Sequence, residues 1–288
     1  MLELSRAVIG TTTGKRTFEY AWRDVVIYAL GVGAKADELE YLYEKNLKAI
    51  PTFGVVPCWG TFGITPYHAI PHNAAISLIR TIEGGLHMTQ ELVLHRPVPP
   101  MGARLTFEDV VANVYDWAGK GAVIQTVLTA FDEAGEKVFT NTGTIFVSRY
   151  AAPGAGALPK SAVEIPDRDP DIRERDFVPA NQHQLYRLSG DTNLMHVDPE
   201  EAAREGFSRP LMQGLCTFGY ACRLAVKNLV PGEPERVKRM ATQFRNPLFP
   251  GSAIELQLWK TGAKQAFFRV MDLENGRPAL DRGVFEWD

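Results

Sequence analysis

Cysteine is scarce. Cys58, Cys216 and Cys222 are the only three in 288 residues, and no two of them form a Cys-x-x-Cys pair. A disulfide scaffold is thereby excluded, and a reducing compartment is expected. Excess charge is missing too. With 31 Lys plus Arg against 34 Asp plus Glu the formal net charge is −3, which leaves no basic footprint for nucleic acid or an anionic membrane. No basic stretch followed by an apolar one opens the chain, so no secretory leader is expected. Glu286-Trp-Asp is not a Ser-Lys-Leu peroxisomal address, which makes the cytoplasm the expected location. One long run lacks charge altogether: Ala49 to Ile79 contains no Asp, Glu, Lys or Arg. Pro51, Pro57, Pro66 and Pro71 interrupt it, as do Gly54, Gly60 and Gly63. It cannot supply the ~20 consecutive helical residues that satisfy a backbone in lipid. It is expected instead as an apolar, irregular segment packed on a core.

What is present is the composition of a folded domain or two, 45% hydrophobic and 23% charged. Ala151-Ala-Pro-Gly-Ala-Gly-Ala-Leu-Pro has the composition of a linker, and a charged stretch from Pro166 to Asp176 continues it. The organisation expected is an N-terminal unit over 1–150, a linker over 151–172 and a C-terminal unit over 173–288. The two units echo each other. Tyr28-Ala-Leu-Gly-Val-Gly matches Tyr186-Arg-Leu-Ser-Gly-Asp, and Arg96-Pro-Val-Pro-Pro-Met-Gly matches Arg245-Asn-Pro-Leu-Phe-Pro-Gly, in the same order and with shrinking offsets. That pattern points to a duplicated unit with extra residues in the first copy.

Each unit reads as a helix followed by strands. Helical apolar spacing predicts a helix over Pro210 to Asn228, with Pro210 in its first turn. Its counterpart is expected from Asn73, as cap, to Ile82. Strands are predicted over Leu105 to Tyr115, Val123 to Phe131 and Lys137 to Ser148, and again over Ile254 to Trp259, Gln265 to Asp272 and Ala279 to Trp287. Turn residues between them imply antiparallel hairpins. The fold class is α+β, a sheet wrapped around a central helix, twice over.

The densest polar cluster is Leu188-Ser-Gly-Asp191-Thr-Asn193-Leu-Met-His196-Val-Asp198. Carboxylate and imidazole are the side chains most used as acid and base near neutral pH, and these two converge on one water if the loop turns back. The plain alternative is a helix cap and a structural histidine. Metal readings fail: Met195 and His196 spoil an EF-hand, and Pro71 breaks any helix carrying His68 and His72. Gly31-x-Gly33-x-x-Ala36 lacks the strand–turn–helix context of a dinucleotide site and reads as a tight turn. Cys216 and Cys222 fall on apolar helical positions, where burial is expected rather than reactivity. Gly214 lies near a helix start, where free N–H groups favour an anionic oxygen; close helix packing is the alternative.

Tyr186-Arg-Leu-Ser-Gly-Asp-Thr-Asn-Leu-Met-His resembles the hydratase 2 motif of MaoC-like (R)-specific enoyl-CoA hydratases. Gly206-Phe-Ser-Arg-Pro-Leu-Met-Gln-Gly-Leu-Cys, Phe244-Arg-Asn-Pro-Leu-Phe-Pro-Gly and Asp24-Val-Val-Ile-Tyr-Ala-Leu-Gly-Val-Gly are similar to its two-domain members. The resemblance implies a double hot-dog fold and a hydro-lyase that converts trans-2-enoyl-CoA to (3R)-3-hydroxyacyl-CoA reversibly. It places catalysis on Asp191 and His196, the thioester oxygen on the N–H of Gly214, and substrate contacts on Asn193, Phe244, His87 and Lys120. The partner implied is an acyl-CoA thioester, with no metal and no cofactor beyond the CoA of the substrate, and a homodimer is expected. In the first-half echo Gly33 stands for Asp191 and Glu38 for His196, so that half is expected to be catalytically silent and to shelter the acyl tail. Three departures adjoin these positions: Leu194 for a proline, Gln213 for a histidine and Met88 for a glycine. A dehydratase for a branched, dicarboxylic or steroid-tail acyl-CoA, and a non-catalytic acyl-CoA binder, are the competing functions.

Overall fold

The computed structural model describes residues 2–12, 14–59, 85–117 and 119–288. Its strands are β1 (Leu2–Glu3), β2 (Arg16–Ala21), β3 (Gly85–Leu94), β4 (Gly102–Asp116), β5 (Ala122–Phe131), β6 (Lys137–Val147), β7 (Tyr150–Ala151), β8 (Gly156–Ala157), β9 (Ile172–Phe177), β10 (Val237–Phe244), β11 (Ala253–Gly262), β12 (Gln265–Asp272) and β13 (Arg277–Trp287). Its described α-helices are α1 (Trp22–Gly31), α2 (Gln182–Tyr186), α3 (Pro199–Arg204) and α4 (Gly214–Leu229).

The predicted hairpins are present as β4–β5–β6 and β11–β12–β13. Alternation drives them: Ala266, Phe268 and Val270 of β12 point inward while their neighbours face out. The main sheet runs β2-β4-β5-β6-β3-β10-β13-β12-β11-β9. Read outward from the central β3–β10 pair, the two sides have the same order, which is the duplication in three dimensions. Strand starts at 16 and 172 are 156 apart, and those at 137 and 277 are 140 apart, so the offset shrinks along the chain as the sequence echo does. Antiparallel pairing from Arg239↔Val93 to Gln243↔Thr89 joins the halves, and Arg239 bridges Glu91 of one and Glu286 of the other.

Helix α4 is buried continuously from Leu215 to Val226, as expected of a helix enclosed on all sides rather than on one stripe. It packs on β10, β11, β13 and the 3₁₀ segment Pro51–Trp59. Gly219 permits the closest crossing, because a Cβ there would collide with Val32. The main core is continuous between the halves, drawing Phe53, Leu92 and Phe139 from one and Phe218, Phe268 and Phe285 from the other. This is the double hot-dog arrangement, α+β in class.

One boundary is corrected. The helix predicted from Pro210 begins at Gly214, because the preceding residues are held extended by tertiary bonds: Met212 N donates to Leu248 O at 2.8 Å, and Leu211 O accepts from a histidine. The start of the uncharged run packs on the core as expected, with Ile50, Phe53, Val55 and Val56 buried. Its remainder from 60, the helix expected over 73–82, and His68 and His72 lie outside the described residues. Among the described residues no helix is long and apolar enough to cross a membrane.

Candidate active site

The polar cluster lies between α2 and α3. A 3₁₀ turn over Arg187–Ser189 ends at Gly190, where φ is 113° and the Gly190 N–H returns to Arg187 O. A side chain would be strained in that conformation, so glycine lets the chain reverse into Asp191. Asp191 Oδ1 accepts from the Asn193 amide at 3.3 Å, and Asn193 Oδ1 accepts from the Met195 amide at 3.3 Å. The second bond caps a single 3₁₀ turn, Leu194–His196, that brings the imidazole back over the carboxylate. Nε2 of His196 then stands 4.0 Å from Oδ2 of Asp191.

The imidazole's other nitrogen fixes its tautomer. His196 Nδ1 is 2.9 Å from Leu211 O. A carbonyl only accepts, so Nδ1 carries the hydrogen and Nε2 of the neutral ring is an acceptor. A direct bond to Asp191 is too long at 4.0 Å. Two hydrogen bonds of about 2.8 Å meeting near a right angle span about 4 Å, so one oxygen atom fits between the two groups. Burial pushes the Asp191 carboxyl above its ordinary range, opposed by His196, the Asn193 amide and the Arg187 guanidinium. Asp191 is only 5% exposed.

Helix α4 starts beside this pair. Gln213 is its N-cap in backbone terms, with φ −61° and ψ 135°, yet its side chain makes no capping bond. Gly214 is therefore the first helical residue, among the orphan N–H groups of the first turn. The Cys216 thiol, two residues on, feels the Asp191 charge; burial and that charge hold it well above the usual thiol range, and it donates to Gly31 O at 3.2 Å. It is a buried thiol, as expected, and not a nucleophile. A Cβ on Gly214 would come within 3.0 Å of the Phe244 ring. Phe244 in turn stacks on His87, ring centroids 4.6 Å apart, and burial lowers the half-buried His87 imidazole to about 4, so it is neutral at pH 7.

The structure thus gathers Asp191, Asn193, His196 and Gly214, and extends from Gly214 through Phe244 to His87. Lys120 is held elsewhere: its ammonium lies 4.7 Å over the Trp117 ring in the β4–β5 turn, and no bond among the described residues ties it to the Asp191 loop. The first-half echoes carry other duties. Gly33 has φ +80° and lies against Tyr220, while Glu38 accepts from Arg223 at 2.8 Å. Among the described residues no three His, Cys, Asp or Glu side chains converge as metal ligands. Reading the sequence missed Gln182, Arg187 and Arg223, and saw Gln213 only as a departure from the family pattern. For Arg223 and Gln213 the signal available was a polar residue within an otherwise apolar stretch; Gln182 lies in the polar run Asn181-Gln-His-Gln and gives no such signal.

Comparison with known proteins agrees with the fold. Residues 18–149 match the MFE-2 hydratase 2 N-terminal domain and residues 161–281 the MaoC like domain. The chain is 33% identical to 3-hydroxyacyl-thioester dehydratase Y of Mycobacterium tuberculosis, across 97% of both chains. It is 32% identical to mouse peroxisomal multifunctional enzyme type 2, over 84% of this chain but only 33% of that longer protein. The crystal structure of a MaoC-like dehydratase from Phytophthora capsici superposes with a TM-score of 0.85 at 30% identity, covering 98% of this chain and 96% of that one. A Mycobacterium tuberculosis protein with a double hotdog fold, 16% identical over 97% of this chain and 96% of its own, has a TM-score of 0.64 and speaks to the fold alone. With both halves matched in order, the chain belongs to the MaoC-like hydratase 2 family of hydro-lyases.

Proposed function

We propose that this protein hydrates trans-2-enoyl-CoA reversibly to (3R)-3-hydroxyacyl-CoA, with Asp191 and His196 holding the attacking water. The observation that carries the reading is the 4.0 Å gap between two acceptors, Oδ2 and Nε2. A water there donates one hydrogen to each, leaving its lone pairs free to face C3 of the enoyl group. As oxygen bonds to C3, one proton passes to the pair and one is delivered to C2, so a whole water is added. Electron density moves to the thioester oxygen, where the Gly214 N–H at the start of α4 is the donor; a preorganised donor of this kind contributes about 3–4 kcal/mol. In this reading the thioester makes C3 electrophilic, and no metal or redox cofactor is called for. Dehydration is the same path reversed, which accords with the dehydratase name of the mycobacterial relative. Neutral His87 and the Phe244 ring supply an apolar wall for the substrate, Asn193 Nδ2 the polar contact left after Oδ1 has capped the turn, and Lys120 a charge for the CoA end.

The test is turnover of crotonyl-CoA, a long-chain and a branched enoyl-CoA, with chiral analysis of the product. Formation of the 3R alcohol is expected. Binding of every thioester without hydration, or a 3S product, would overturn the reading.

A further inference from the structure

Two buried glutamines connect the halves of the molecule through the site. Gln182, 4% exposed, opens α2, the short helix that leads into the Asp191 loop. Its Nε2 donates to Leu30 O at 2.8 Å and to Gly31 O at 2.6 Å. These are carbonyls of the last turn of α1; Leu30 O also accepts from the Gly33 N–H at 3.1 Å, while Gly31 O has no partner within its own helix. Cys216 also donates to Gly31 O, and Arg223 Nε donates to Val32 O at 3.1 Å. Second-half side chains thus cap the end of a first-half helix. The fit is close at that point: a Cβ on Gly31 would lie 3.2 Å from the Tyr186 Cα.

The second glutamine continues the connection. Gln213 is fully buried at the N-cap of α4, a position where Ser, Thr, Asp or Asn would bond the helix's own first amides. Gln213 leaves those amides alone, and its Nε2 reaches back to His183 O at 3.0 Å. His183 follows Gln182 directly. The bonds therefore run from the end of α1 through Gln182 and His183 to Gln213, whose neighbour is Gly214.

We propose that Gln182 and Gln213 are positioning residues for the hydration reaction. They set the Gly214 amide against the Asp191–His196 loop, and the first half, which supplies neither catalytic group, fixes the geometry of both. This rests on the functional reading above, so the experiment keeps the two apart. Hydration of crotonyl-CoA is measured for the wild type, Asp191→Asn, Gln182→Ala, Gln213→Ala and the double glutamine variant. A relay that holds one amide is expected to lower kcat by about 10- to 100-fold, the scale of a ~1 Å misplacement, with KM nearly unchanged. The double variant is expected to lose little more than the worse single one.

A second readout excludes a merely structural role. Binding of butyryl-CoA, which carries the thioester oxygen, is compared with binding of S-butyl-CoA, which lacks it. Gln213→Ala and Gln213→Met are expected to weaken the first and leave the second unchanged; this arm stands even if Gln182→Ala does not fold. Wild-type kcat in folded Gln213 variants, or equal losses for the two ligands, would overturn the proposal while leaving the functional reading intact. An inactive wild type, or an active Asp191→Asn, would bring down the functional reading and the proposal that rests on it.

Discussion

Asp191 is a carboxylate in an unfavourable place, and both its chemistry and its cost follow from that. Its raised pKa means that the folded protein holds this proton more tightly than the unfolded chain does. Ionisation therefore subtracts stability as pH rises through the folded pKa, and the subtraction vanishes below the ordinary carboxylate range of about 3.9. Asp191→Asn is accordingly expected to raise Tm at pH 7 while abolishing most hydration, and the Tm gain is expected to disappear in acid; calorimetry at two pH values checks both. In the proposed reaction the same shift is expected to set the acid limb of kcat/KM, since base character is lost as pH falls through the pKa of Asp191. That limb is expected above the range of an exposed carboxylate and is read from a pH–rate profile of the wild type. In the sequence, carboxylate and imidazole singled out Asp191 and His196, but spacing alone left a helix cap and a structural histidine equally open, and it was the family resemblance that placed catalysis on them. Gln182 and Gln213 were not legible, because a carboxamide has no reactivity to notice and its value here lies in a distance.

Helix α4 shows what a helix start can hide. Apolar periodicity extended it back to Pro210, but tertiary bonds to Leu248 and His196 keep the chain extended until Gly214. Gly214 thus stands in the first turn, and its amide donates to no other group among the described residues. Gly214→Ala is expected to displace the Phe244 ring, which a Cβ would approach to 3.0 Å, and to lower kcat by up to the ~10²–10³-fold of a lost oxyanion donor, measured on crotonyl-CoA. Gly33, the echo of Asp191 expected to be catalytically silent, has a structural duty. Its φ of +80° and its closeness to Tyr220 make Gly33→Ala destabilising, by about 1–3 kcal/mol in urea unfolding, with no part in the chemical step. The hairpin strands were legible from their β-branched and aromatic residues and from the turn residues between them. Strand β9 was not, because an edge strand with one charged face reads as linker: Ile172-Arg-Glu-Arg-Asp-Phe177 places its charges on neighbours' side chains, Arg173 and Arg175 both on Glu255.

At the scale of the whole molecule the repeat was visible from a few short echoes, yet the joining of its copies was not. One core and one sheet run through both halves. A buried ion cluster adds to the join: Arg223, with a side chain 2% exposed, holds Glu38 of the first half and Asp176 of the second. Removing one partner of such a cluster leaves charge uncompensated, so Arg223→Met is expected to cost about 3–5 kcal/mol in chemical denaturation, as a single transition. Segments 1–150 and 173–288 expressed separately are expected not to fold, which circular dichroism checks, because each exposes the face that the other covers. The proposed chemistry rests on one water shared by Asp191 and His196. The direct measurement is kcat/KM for crotonyl-CoA hydration in the wild type, Asp191→Asn, His196→Ala and the double variant. Each single substitution is expected to lower it by about 10²–10⁴-fold, and the double by little more, since groups that hold one water act as a unit. Losses that multiply, or near-normal activity in either single variant, would contradict the shared water.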